Sequence, residues 1–184
     1  MDTTNRNIIL GIIAVLLLVG IYLVLRAGPL RPAAPEAMKT PQGTAAAPGA
    51  SPVSGAGQVV TKEGKPVKLN VVAGTPDAPQ QSNPIGAGSV SAGTIKMTVS
   101  AKGFSPNQFV VRAGDVVTIA LTSGDTQTHV FKFDDASLSA VAIGVGPGET
   151  RAITFNAPSP GKYGFHCDVP NHSSRGETGT MTVQ

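Results

Sequence analysis

The chain has 184 residues, a formal net charge of +3, 14% charged residues and one cysteine. A single cysteine excludes an internal disulfide framework and a cysteine-only zinc site. Residues 1–88 carry seven basic and four acidic side chains, residues 89–184 seven of each, so the excess lies where aromatic residues are nearly absent, which argues against a nucleic-acid partner.

From the N-terminus, Ile8 to Leu25 is an 18-residue run without a charge. As a helix it would span roughly 27 Å, close to the hydrocarbon thickness of a bilayer. Arg6 and Arg26 bracket it, and Tyr22 lies near one end, where an aromatic ring favours the interface. The competing reading is a cleaved signal peptide, whose apolar core is about 7–15 residues and ends at a small-residue cleavage site. The length of the run and the Arg26 that follows it favour an uncleaved transmembrane anchor over residues 1–26, with the membrane as a partner.

Residues 27–88 hold ten of the fifteen prolines, nine glycines and twelve alanines. Such a segment has little to bury and is expected to be a flexible, disordered linker. One island inside it, Gln58-Val59-Val60 and Val67 to Val72 around Glu63-Gly64-Lys65, is compatible with a hairpin, which alone is marginal in water.

From Ser89 to Gln184, short runs rich in Val, Ile, Thr and Phe alternate with Gly, Pro and Asp turns. Seven strands are expected: Thr94–Ser100, Gln108–Arg112, Asp115–Thr122, Thr128–Phe133, Glu149–Asn156, Gly161–Cys167 and Thr178–Val183. That pattern predicts one all-β domain over 89–184, a Greek-key sandwich or barrel.

The only cysteine ends a strand-like run, Tyr163-Gly164-Phe165-His166-Cys167. Alternation puts Tyr163, Phe165 and Cys167 on one apolar face. His172 follows within Asp168-Val169-Pro170-Asn171-His172, and His129 opens another predicted strand. One thiolate and two imidazoles form the donor set of an electron-transfer copper site, often with a weak axial ligand. A lone buried cysteine and loop histidines are the plainer alternative. A catalytic Cys–His pair is a third, although no helix N-terminus or glycine cluster adjoins Cys167.

The segment from Gly161 to His172, closing in Gly179-Thr180-Met181-Thr182-Val183, resembles the copper-ligand segment of the cupredoxins, the relatives of plastocyanin and azurin. Phe104-Ser105-Pro106 and Val111-Arg112-Ala113-Gly114-Asp115-Val116-Val117 are similar to that family's early strands, and His129 falls where the family has its first histidine ligand. The resemblance covers roughly Thr94 to Gln184 and implies one copper ion held by His129, Cys167 and His172. Two positions depart from the pattern. The family's Cys-x4-His-x4-Met reads here as Cys-x4-His-x4-Glu, which brings Glu177 to the axial position, with the Thr128 carbonyl as the alternative contact, and leaves Met181 to the core. Val130 replaces the asparagine that commonly follows the first histidine. His166 matches a second-copper ligand of copper nitrite reductases, but Asp134 stands where a partner histidine would be; His166 is therefore expected to face outward on the surface.

The reading that follows is a membrane-tethered, extracytoplasmic electron carrier and not an enzyme, with a transient redox protein partner such as a cytochrome or an oxidase. The charges flanking the apolar run, taken alone, would leave the domain in the cytoplasm; the scarcity of copper and the reducing conditions there place it on the outer face instead. The alternatives are a red-copper protein similar to nitrosocyanin, in which a mobile Glu177 opens a position for a small molecule, and a non-redox copper carrier.

Overall fold

The computed structural model describes residues 46–184. Nine strands follow one another: β1 (Ile95–Ser100), β2 (Gly103–Ser105), β3 (Gln108–Val111), β4 (Val116–Ser123), β5 (His129–Phe133), β6 (Ala142–Val145), β7 (Thr150–Asn156), β8 (Gly161–Cys167) and β9 (Thr178–Val183). All seven expected strands are present to within a residue or so at either end. The two that patterning missed, β2 and β6, are only three and four residues long, too short to show an alternation of their own.

The strands form a four-stranded sheet in the order β2-β1-β4-β7 and a five-stranded sheet in the order β3-β9-β8-β5-β6. β1–β4 and β3–β9 pair in parallel, the remaining neighbours antiparallel. One sheet contributes Met97, Val99, Val117, Ile119, Leu121, Ile153 and Phe155 to a shared core; the other contributes Phe131, Phe133, Ile143, Phe165, Met181 and Val183. Met181 is fully buried there, as expected of a core residue. The Phe131 and Phe165 ring centroids lie 4.8 Å apart, and Phe104 stands edge-on to both. Fully burying one such ring contributes about 1.5–3 kcal/mol, so these phenylalanines fix the register of β5 against β8.

The expected flexible linker, residues 27–88, needs correction where it is described. Residues 46–86 contain no strand but lie along the sandwich, with Val59, Ala78 and Ser82 buried. β7 is the last strand of its sheet, and an open edge leaves a row of backbone groups unpaired. The segment supplies their partners: Ser82 N–H and Ile85 N–H donate to the carbonyls of Ala152 and Thr150 at 2.7 and 2.9 Å, and Ala152 N–H donates to Ser82 Oγ. Val59 N–H donates to Asn156 Oδ1 at 2.9 Å. The predicted hairpin is reduced to the isolated bridges Val53–Val59 and Val60–Pro66. Composition does not reveal this order, because backbone hydrogen bonds supply much of the attachment. Residues 27–45 and the proposed anchor, 1–26, lie outside the described residues. Among the described residues no helix is long and apolar enough to cross a membrane.

Candidate metal centre

The strand period decides which side chains reach the site. In β5, His129, Phe131 and Phe133 are buried in alternation; in β8, Phe165 and Cys167 are. Phe131 pairs with Cys167 across the sheet, so His129 and Cys167 sit on one face at one end of the sandwich. Asp168 N–H, donating to the Val130 carbonyl at 2.8 Å, ties β8 to β5 just beyond them.

The loop after β8 returns two more ligands to that point. Asn171 has φ 68°, a left-handed conformation that asparagine tolerates, and His172 N–H donates to the Val169 carbonyl at 3.1 Å. A 3-10 turn over Ser173–Arg175 then ends at Gly176, with φ 97°. A side chain there would be strained. The chain is thereby turned back so that the Cys167 N–H donates to the Glu177 carbonyl at 3.0 Å, setting the cysteine and the glutamate side by side.

One ligating atom from each of His129, Cys167, His172 and Glu177 lies within 4.8 Å of the others, and all four residues are buried. Glu177 Oε2 is 2.8 Å from His129 Nδ1 and 3.0 Å from His172 Nδ1. Cys167 Sγ is 3.9 and 3.5 Å from the same two nitrogens, and it accepts the Val130 N–H at 3.3 Å. Burial pushes the Cys167 thiol above its ordinary range, against the backbone N–H groups of Val130 and Val169, while Glu177 adds to the rise. Burial likewise pushes the Glu177 carboxyl up, but hydrogen bonds from His129, Cys167 and His172 outweigh it, and the net shift is downward.

A second layer holds these ligands. His129 Nε2 is 3.0 Å from Asp125 Oδ1. The Gln127 N–H and the His129 ring keep the Asp125 carboxyl ionised down to about 2. Arg175 Nη2 donates to Glu177 Oε1 and to Gln127 Oε1, each at 3.1 Å. Sequence reading missed Asp125, Gln127 and Arg175. The only signal was their placement: Asp125 four residues before one ligand, Arg175 two before another.

All four residues singled out from the sequence are therefore brought together. Glu177 is not the mobile carboxylate that an open coordination position would need; it has no solvent exposure and both of its oxygens are hydrogen-bonded. His166 is turned to the other face of β8, its side chain 26% exposed, against Asp134 and within 3.4 Å of Asp168. His172 keeps 10% of its side chain exposed, whereas His129 keeps none.

The donor set fits copper. The thiolate favours a soft ion, the two imidazoles suit copper in either state, and the carboxylate adds a harder oxygen. With the Nε2 of His129 taken by Asp125, its Nδ1 is left for a metal.

A family model for the cupredoxin-like domain matches residues 80–183. The chloroplastic plastocyanin of Hordeum vulgare is 35% identical over 88 residues, covering 44% of this chain and 54% of that protein. The chain thus spans about half the length of that relative. The plastocyanin of Scenedesmus fuscus is 31% identical over 88 residues, covering 44% of this chain and 86% of that protein. Among solved structures, the dithionite-reduced auracyanin of Roseiflexus castenholzii aligns with 52% of this chain and 99% of its own, at 24% identity and a TM-score of 0.45.

Proposed function

The chain belongs to the family of cupredoxin-like domains, and from that premise we propose that it carries single electrons between redox proteins through one copper held by His129, Cys167, His172 and Glu177. The observation that carries this reading is the convergence of four buried ligating atoms within 4.8 Å. They come from two strands and one loop and are fixed by hydrogen bonds that need no metal.

When bound, copper supplies a one-electron couple between Cu(I) and Cu(II). The chain's own residues do the rest. The β5–β8 pairing holds His129 and Cys167 at a fixed separation, and the loop from Asp168 to Glu177 supplies the other two donors without leaving the core. A preformed set of this kind moves little between oxidation states. Cys167 belongs to the same buried cluster as Phe131 and Phe165 and is 1% exposed, so the sulfur is kept from water. The partly exposed edge of His172, beside Val169 and the exposed Pro170, is the side on which a redox partner would dock. A transient interface at the small end of the usual range would suit rapid turnover.

We further propose that residues 1–26 anchor the protein on the extracytoplasmic face of a membrane, near its electron donors and acceptors. An anchored domain meets its partners at a raised effective concentration. On this proposal only residues 27–45 separate the anchor from the segment that packs on the sandwich.

The test is the optical spectrum of the copper-loaded protein. An intense sulfur-to-copper absorption should appear on oxidation, vanish reversibly on reduction and be abolished by Cys167→Ser. A Cys167→Ser protein that kept the band would refute the assignment.

A further inference from the structure

We propose that Asp125 is a positioning residue that acts through His129 to favour the oxidised metal. The inference rests on the copper reading of the site but concerns a residue outside its ligand set.

Asp125 lies in the loop between β4 and β5, and its carboxylate is held on three sides. Oδ1 accepts the Gln127 N–H at 2.8 Å and faces His129 Nε2 at 3.0 Å. Oδ2 accepts the Ala101 N–H, from the turn between β1 and β2, at 2.8 Å. The loop that presents the first ligand is thereby fastened to the opposite sheet. The His129 side chain has no exposure, and that of Asp125 has 24%.

Two consequences follow. The ring cannot flip, because Nε2–H has its acceptor on one side and Nδ1 faces Sγ and Glu177 on the other. A carboxylate accepting the Nε2–H also makes the imidazole a stronger donor at Nδ1 than a neutral acceptor would. Partners of this kind change metal affinity by about 10–100-fold when removed. A stronger donor and a nearby negative charge both favour Cu(II) over Cu(I).

Asp125→Asn removes the charge while keeping the contact to the ring. The asparagine Oδ1 can still accept from Gln127 and His129, whereas the negative charge and the acceptor for the Ala101 N–H are gone. Ala101→Pro, which removes only that N–H, is the control for the lost tie and should leave the potential unchanged. In the copper-loaded full-length Asp125→Asn variant, Cu(II) affinity should fall about tenfold with Cu(I) affinity unchanged. The reduction potential should therefore rise by about 59 mV, the equivalent of tenfold for one electron. A merely structural role would not move the potential. In the metal-free wild-type protein, nitrogen-15 spectroscopy should find the His129 Nε2 protonated, with its proton protected from exchange. Asp125→Ala should remove that protection. An Asp125→Asn protein that shows the sulfur-to-copper band but has unchanged potential and Cu(II) affinity would overturn the proposal and leave the copper reading standing. A bare Nε2 in the wild-type protein would overturn it without any variant. A wild-type protein lacking a Cys167-dependent copper band would remove the copper reading and this proposal with it.

Discussion

Replacing Glu177 by methionine should raise the reduction potential by about 120 mV. The four ligating atoms lie within 4.8 Å of one another, so a metal among them stands about 3 Å from the carboxylate. At an effective dielectric constant near 20, one unit of charge at that distance is worth about 5.5 kcal/mol. Copper differs by one unit of charge between its two states, so the carboxylate favours Cu(II) by an energy of that order. The substitution also removes the charged acceptor of Arg175, which is 41% exposed and keeps only its bond to the exposed Gln127 Oε1. Its guanidinium, about 6 Å from the same point, opposes the carboxylate by about 2.8 kcal/mol. Without that acceptor it turns to water and is screened, and most of that opposition is lost. The difference is about 3 kcal/mol, or two decades, and each decade corresponds to about 59 mV. A thioether is also a softer and weaker ligand than a carboxylate, so the site should become less tetragonal and its blue absorption should strengthen. The assay is an equilibrium redox titration followed optically, with Glu177→Gln as the variant that removes charge but keeps shape. A folded, copper-loaded Glu177→Met protein with the wild-type midpoint and spectrum would refute the reasoning and put Glu177 outside the coordination sphere.

Val59→Ala tests the packing of the segment before the sandwich: Val59 has no exposure, so the loss should be about 2 kcal/mol. Thermal unfolding of the metal-free protein should shift down by about 6–8 °C, whereas a mobile tether at residue 59 predicts no shift. Metal affinity should rise with pH across the neutral range, by at least about tenfold per unit. The reason is that burial raises the Cys167 thiol, so the free site is protonated at neutral pH, and a metal must displace that proton at a cost that falls as pH climbs towards the raised value. Metal titrations at several pH values read this slope, and a flat profile from pH 6 to 8 would show that the thiol is already ionised.

The sequence carried the site better than its surroundings, and the reason is physical. Cys167, His172 and His129 follow from strand alternation, the length of one loop and the start of a strand, all of which are local, whereas Glu177 entered only through the likeness to the cupredoxin ligand pattern. Long strands such as β4 and β8 were legible for the same reason. β2 and β6 were not, since strands so short are defined by their neighbours: β2 pairs with β1 at three positions, and β6 completes the edge beside β5. Residues 46–86 were misread because their attachment uses backbone donors and the edge of β7, which leave no hydrophobic period. Asp125 and Arg175 look like ordinary surface charges in the sequence. Only the fold shows that one lies behind His129 and the other behind Glu177.

The charges around the site give Glu177 a consequence for direction of electron flow. On the proposed ligand set, oxidised copper with the Cys167 thiolate and the Glu177 carboxylate would have no net charge, and the reduced form would leave one negative charge. His129, Cys167 and Glu177 are each at most 1% exposed, and an uncompensated charge in such a place is costly. With a neutral axial ligand the order reverses, because reduction would then remove a buried positive charge. The second layer does not restore the balance: Asp125 and Arg175 are opposite in sign, and Arg175 is the more exposed of the two. Water screens the group that would favour reduction more than the group that opposes it. With Glu177 as a ligand, the net effect of these residues would therefore favour the oxidised state, Arg175 offsetting only part of it, and would poise the centre to give up its electron more readily than a centre with a thioether in the place of Glu177.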